Sequence, residues 1–218
     1  MRRCSGRRAP RPAGATPIPR PTASPIPPRS ASDWLELGLE LLRTRGPQSL
    51  TVDELCRRAG LTKGAFYHRF DGVAGYRDAL LEHWHATTTD RVIEELRPTF
   101  DETDPHARRD ALNRLVVHID MGLERAIRSW GVYDPAVQEV INATDRKRVA
   151  AVTALAAPRA TPEETHAAAA AEYSAYLGFV LMQDPETFGV LAKWGPRVVV
   201  TFSDDLTAGP LPPPDAGG

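Results

Sequence analysis

The sequence predicts an all-α chain of about nine helices, divided into a small amino-terminal three-helix unit and a larger carboxy-terminal helical domain. Three observations predict it. Between Leu50 and Phe70, in LTVDELCRRAGLTKGAFYHRF, two short helical stretches flank a single glycine, and each is opened by a threonine. Further along, an Asp or Thr followed by Pro recurs at Asp104-Pro105, Asp134-Pro135, Thr161-Pro162 and Asp184-Pro185. That pairing joins a good N-cap to the first helical position, where proline loses nothing. No segment carries a competing strand pattern.

Taken in order, residues 1–30 are rich in Pro, Arg, Ala and Ser, have almost nothing to bury, and are expected to be disordered. They read either as a solvated tail or as a basic arm that adds nonspecific attraction to phosphates. No apolar run follows the basic start, so a secretory signal is not expected. A first helix is predicted from Trp34 to Thr44, capped by Ser32 or Asp33, with Trp34, Leu35, Leu37, Leu39, Leu41 and Leu42 apolar and Gly46-Pro47 ending it. Thr51 and Glu54 form a capping-box pair for a second helix through Ala59, with Val52, Leu55 and Cys56 turned inward and Gly60 as terminator. Thr62 caps a third helix in which Phe66 and Phe70, four apart, make one buried stripe. Its other face carries Lys63, Gly64, Ala65, Tyr67, His68 and Arg69 and no acid before Asp71, a composition suited to approaching a phosphate backbone and reaching base edges.

A fourth helix is expected from about Ala74 to Leu96, beginning in the amino-terminal unit and ending in the next, and therefore a mechanical link between them. Beyond Pro98 the helices predicted are 105–129, 135–156, 162–182 and 185–203, the last containing Pro196 and liable to kink. Within the first of these, His118 falls at a mid-helix position among apolar neighbours, which suits a buried, neutral, hydrogen-bonded histidine. After Asp205 the tail is expected to be disordered.

Charge is unevenly spread. Of the 27 basic residues, seven arginines lie in residues 1–30 with no acid, so the remaining 20 face 28 acidic residues, a balance of −8. Such a body is repelled by nucleic acid unless its cations gather on one face, which gives weight to Arg57, Arg58, Lys63 and Arg69. Cys4 and Cys56 are too few for a disulfide framework and fit a reducing cytoplasm. No stretch approaches a membrane span of roughly 20 apolar residues. His83 and His85, two apart on a helix, cannot share a metal as residues four apart can. Without a glycine-rich phosphate loop, a nucleophile elbow or a Cys-x-x-Cys pair, neither an enzyme nor a cofactor is expected.

From about Asp33 to Leu81 the chain resembles the DNA-binding domain of the TetR family of one-component transcriptional regulators. The ordered set WLELGLELLRTRG, a threonine-capped helix ending in AG, and TKGAFYHRF leading into a fourth helix carries the resemblance. Two positions depart from it. Arg69 stands where family members often have His, and both can donate to a phosphate oxygen. Val73 stands where they usually carry Lys, leaving Arg77 one turn later as a candidate replacement. The resemblance implies a helix-turn-helix domain at 31–80, a ligand-binding and dimerisation domain at 81–205, and tails at 1–30 and 206–218. On this basis Thr51, Thr62, Tyr67 and Arg69 would hold the DNA backbone, helped by the amides at the start of the recognition helix, Gly64 among them. Lys63, Ala65 and His68 would meet base edges.

The partners implied are a pseudo-palindromic double-stranded operator, a small-molecule effector and a second copy of the chain, with repression relieved by the effector. An alternative is a helical small-molecule-binding or interaction protein whose helix-turn-helix no longer binds DNA. Candidate pocket residues are Trp84, His118, Met121, Trp130, Tyr133, Tyr173, Tyr176 and Met182, which combine aromatic surface with hydrogen-bonding tips. Aromatics at helical spacing are also ordinary core. Ala168, Ala171, Ala175 and Gly178 form a small-residue stripe that permits close helix approach, and Phe179, Leu181, Phe188, Leu191 and Trp194 would otherwise leave a large apolar surface. In the resembled family this region supplies the homodimer's four-helix interface.

Overall fold

The computed structural model describes residues 30–116, 118–156, 161–182, 184 and 186. The predicted helix 185–203 and both predicted tails, apart from Ser30 and Glu186, lie outside the described residues. Those residues form helices α1 Ala31–Arg45, α2 Val52–Ala59, α3 Lys63–Tyr67, α4 Gly72–His85, α5 Arg91–Leu96, α6 Pro105–Val116, α7 Met121–Gly131, α8 Pro135–Leu155 and α9 Pro162–Leu181, with no strand among them.

Helix α1 starts three residues earlier than its sequence suggests, because Ser30, not Ser32 or Asp33, is the cap. The Ser30 hydroxyl accepts from the Asp33 amide at 3.1 Å and the Asp33 carboxylate accepts from the Ser30 amide at 2.8 Å, so both orphan donors are satisfied. Trp34, Leu35, Leu39, Leu41 and Leu42 turn inward as expected, while Leu37 is half-buried. Gly38 lets α4 come close: a Cβ there would overlap the Tyr76 hydroxyl, which donates to the Trp34 carbonyl at 2.7 Å. Phe66 sits in a cage of rings, 5.7 Å from Trp34, 5.3 Å from Phe70 and 5.4 Å from Tyr76 between centroids. The buried cluster does not stop at the amino-terminal helices. It continues through Leu80, Leu81 and Trp84 of α4 into Leu123, Ile127 and Trp130 of α7 and Val137 and Ile141 of α8.

Helices α4 and α5 form one rod, as the periodicity predicts, but with a π-helical turn at Ala86–Asp90 in its middle. The cause is local. Thr87 and Thr88 each send a hydroxyl back to a carbonyl four residues earlier, those of His83 and Trp84, both at 2.7 Å, where the backbone ladder would otherwise close.

The predicted helix 105–129 is two helices. Asp120 interrupts it, its carboxylate accepting from the Gly122 and Leu123 amides at 2.8 and 3.0 Å and so starting α7 afresh. His118 consequently lies in an exposed turn, not buried in mid-helix, because the break swings it out. Helices α8 and α9 match their predicted spans within a residue. Asp134 accepts from Ala136 and Val137, and Thr161 with Glu164 forms a complete capping box. Helix α6 is tied to α9 by the Arg109–Glu172 ion pair; burial raises the Glu172 carboxyl above its ordinary range against the pull of Arg109. A second, smaller apolar cluster of Leu96, Ala111 and Leu155 closes that end of the body.

Candidate nucleic-acid interface

The predicted two-helix unit forms around a left-handed glycine. Gly60 takes φ 66°, ψ 28°, and both its amide and that of Leu61 return to the Cys56 carbonyl, ending α2 and turning the chain into α3. Thr51 caps α2 through the Glu54 amide at 3.3 Å, yet the box predicted from Thr51 and Glu54 is only half made. The Glu54 carboxylate is taken by arginines instead: Arg57 at 2.5 Å, Arg45 at 3.0 Å and, more loosely, Arg58 at 3.8 Å. The hydrogen bond from Arg57 holds the Glu54 carboxyl below its ordinary value. The three guanidinium groups, from Arg57 and Arg58 of α2 and Arg45 of α1, outnumber this one carboxylate by two. Burial raises the Cys56 thiol, which is enclosed in the apolar cluster.

Helix α3 buries Phe66 alone and presents the rest. Thr62, Lys63, Gly64, Tyr67, His68 and Arg69 are exposed, Ala65 is half-buried, and Thr51 is exposed at the start of α2. Thr62 opens α3 without a side-chain cap bond; only its carbonyl is engaged, accepting from Ala65 at 3.0 Å. Tyr67 is 58% exposed although its ring edge meets Phe66, so it is a large aromatic held outward on a fixed base. The Lys63 ammonium meets the Asp53 carboxylate of α2 at 2.6 Å, a hydrogen bond that raises its pKa. The helix is shorter than predicted, ending at Tyr67, with His68 and Arg69 in the following turn. All eight predicted contact residues nevertheless lie on these two adjoining elements and their turns. Arg77 does not join them. Its guanidinium lies 5.7 Å from the centroid of the Trp130 ring, facing α7, so it cannot stand in for a lysine at Val73.

The candidate pocket residues do not converge as one set. Tyr133 is 87% exposed, His118 is exposed, and Met121 and Met182 are half-buried at helix ends. Trp130 is buried in α7 with its indole N–H donating to Asp134 at 3.2 Å. Trp84, Tyr173 and Tyr176 gather elsewhere, around a buried ionic node that sequence reasoning missed. There Arg148 of α8, 8% exposed, donates to the Glu124 carboxylate at 2.9 Å, to Thr89 at 2.8 Å and to Thr88 at 3.0 Å, and lies over the Trp84 ring. Arg128 of α7 joins Glu124 and Asp145, and the Tyr173 hydroxyl donates to Asp145 at 2.6 Å. Burial works to lower the pKa of both arginines, but their carboxylate partners outweigh it and raise both. The Tyr176 hydroxyl and the Trp84 indole N–H are buried without a partner among the described residues, and burial pushes Tyr176 up to about 12.

The node also pins the π turn. Thr144, Lys147 and Arg148 share one face of α8 and reach His85 at 2.8 Å, Asp90 at 2.6 Å and the Thr88–Thr89 pair. One turn before the π turn, at the same end of α4, His83 meets Glu36 of α1 at 2.7 Å. Only the run of three threonines in a helical pattern hinted at this site; its charges come from positions far apart in sequence.

Residues 35–74 match the family model described as bacterial regulatory proteins, tetR family. The fold resembles that of Escherichia coli NemR in its reduced form, at TM-score 0.62 and 20% identity, covering 83% of this chain and 99% of that one. It also resembles SCO7518 from Streptomyces coelicolor A3(2), a proposed transcriptional regulator, at TM-score 0.58 and 17% identity over 81% and 96% of the two chains. A proposed transcriptional regulator from Pseudomonas aeruginosa PAO1 gives TM-score 0.58 and 20% identity over 81% and 87%. Among curated proteins no relative matches the sequence.

Proposed function

From its tetR-family match over residues 35–74, we infer that this chain is a dimeric, sequence-specific DNA-binding regulator, a repressor that leaves its operator when a small molecule binds the helical domain. The observation that carries the reading is the outward face of α3. Phe66 and the ring cage fix the helix from behind, while Thr62, Lys63, Gly64, Tyr67, His68 and Arg69 stand exposed beside an arginine-rich α2. Thr51, Thr62, Tyr67 and Arg69 are assigned to the phosphate backbone, and Lys63, Ala65 and His68 to base edges, with Gly64 letting the backbone approach closely. Lys63 must leave Asp53 to do so, and an exposed pair of this kind costs little to open.

A second copy is supported by α9, whose Ala171, Ala175 and Gly178 are exposed, with Leu181 beyond them. Coupling is supported by the rod, which packs in the ring cage at its amino-terminal end and against the ionic node at its middle. A ligand shifts such an equilibrium only by its differential affinity, so a roughly 100-fold preference between conformers supplies about 2.7 kcal/mol.

The test is the operator preference of Lys63→Ala. Discrimination at one base position in each half-site should fall by about 1–3 kcal/mol, with the other positions unchanged. An unaltered ranking of operator variants would remove Lys63 from base readout.

A further inference from the structure

Between α4 and the α7–α8 corner lies a cleft of about 650 Å³, within the size range of small-molecule sites. Its apolar part is Leu81, Val137, Val140 and the Trp130 ring. Its polar part is unbalanced. Asp78, Glu82 and Asp134 face a single cation, Arg77, with His85 as the remaining titratable group. Asp134 is fully used: one oxygen caps α8 and the other accepts from Trp130, which fixes the indole edge. Asp78 and Glu82 are different. They stand four apart on one face of α4, exposed, and neither has an ion pair or hydrogen bond among the described residues. Like charges at that spacing repel, and an added positive charge relieves them. His85 turns its two ring nitrogens to Thr144 and Asp90 and makes no bond to either Asp78 or Glu82.

The ring face carries the second observation. A guanidinium already lies over Trp130, and the Arg77 Nε atom is buried there with no hydrogen-bond partner. That cation is bound through the ring and leaves polar capacity unused, so a cation with better partners can replace it. We propose that this cleft binds a small organic cation, an aryl or alkyl ammonium, whose body packs on Leu81, Val137 and Val140. Its charge takes the place of the Arg77 guanidinium over Trp130, beside Asp78 and Glu82. Binding would press α4 away from α7 and α8. The consequence for DNA rests on the regulatory function proposed above; the binding itself does not.

The experiment is calorimetric titration of the full-length protein with phenethylammonium, 2-phenylethanol and phenylacetate, which share a ring and differ in charge. The ammonium should bind at least about tenfold more tightly than the alcohol. Asp78→Asn with Glu82→Gln should weaken it by about tenfold or more, and Arg77→Met should tighten it, since the competitor is gone. Asp78 and Glu82 are exposed and Arg77 is half-buried, and circular dichroism checks that each variant is folded. Equal affinity for the three probes, tightest binding of phenylacetate, no measurable binding of the ammonium, or an unaffected double variant would each overturn the proposal. Binding of the wild type to DNA fragments selected by the same protein supplies the separate arm. Loss of DNA affinity with phenethylammonium, absent in the double variant, makes the cleft an effector site. Binding of the cation with DNA affinity unchanged leaves the cleft a cation site and refutes control of DNA binding through it.

Discussion

The α4–α5 rod is gripped at its amino-terminal end by rings and at its middle by buried charges, and the two grips differ in what can loosen them. Around Phe66, Phe70, Tyr76 and Trp34 the contact is apolar, with a single hydrogen bond from Tyr76 to the Trp34 carbonyl. Dense apolar packing has no partially satisfied state, so that end behaves as a rigid mount for α3. Around the π turn, Glu124 and Arg148 are 1% and 8% exposed and depend on Arg128, Asp145, Tyr173 and two threonines for satisfaction. A network of that kind is stable when complete and costly when one member is displaced. The lesson is a division of labour: the mount gives α3 a fixed orientation, and the ionic node is where displacing one buried partner would loosen the hold on the rod.

The largest expected effect breaks the node. Arg148→Ala should destabilise the protein by about 3–5 kcal/mol in urea unfolding, because the buried Glu124 carboxylate loses one of its two arginines and is left with Arg128, which it shares with Asp145. Arg148→Met combined with Glu124→Met should recover most of that loss, since neither charge then remains buried. A single variant as stable as the wild type would show that the node does not grip the rod. Breaking the mount comes next. Gly38→Ala should cost about 1–3 kcal/mol by pushing Tyr76 off α1, and should lower DNA affinity along with stability, whereas the node variants should alter the ligand response.

The smallest effect sharpens the comparison at the surface. Glu54 is the shared anchor of Arg45, Arg57 and Arg58, and its carboxyl titrates below the ordinary value because Arg57 donates to it. Its contribution is therefore present above the unfolded-state value and is lost as pH falls through the folded one. The difference in thermal midpoint between wild type and Glu54→Gln should be visible at pH 7 and close under acid. A gap that persists unchanged at low pH would contradict this assignment.

The mount was legible in the sequence and the node was not, for physical reasons. Caps, glycine terminators and the Phe66–Phe70 spacing act within a few residues, so Thr51, Gly60, Asp134 and Thr161 declare their elements locally. Asp120 was missed as a cap because the apolar period runs through it; only its bonds to Gly122 and Leu123 reveal the break that exposes His118. Arg148 meets Thr89 across 59 residues and Glu124 across 24, distances at which sequence spacing carries no information. The ligand candidates divided for the same reason. Trp84, Tyr173 and Tyr176 meet at the node because α4 and α9 both pack there, while Trp130 faces the cleft and Tyr133 faces solvent.

The measurement that tests the account most directly is selection of genomic DNA fragments by the purified full-length protein, read by sequencing at two salt concentrations. The account predicts an inverted repeat with half-sites about 34–36 Å apart, retained at both salts, and lost on substituting Lys63 and Arg69 together. Fragments bound without a shared motif and released by moderate salt would contradict it, leaving only nonspecific attraction between phosphates and the chain's arginines.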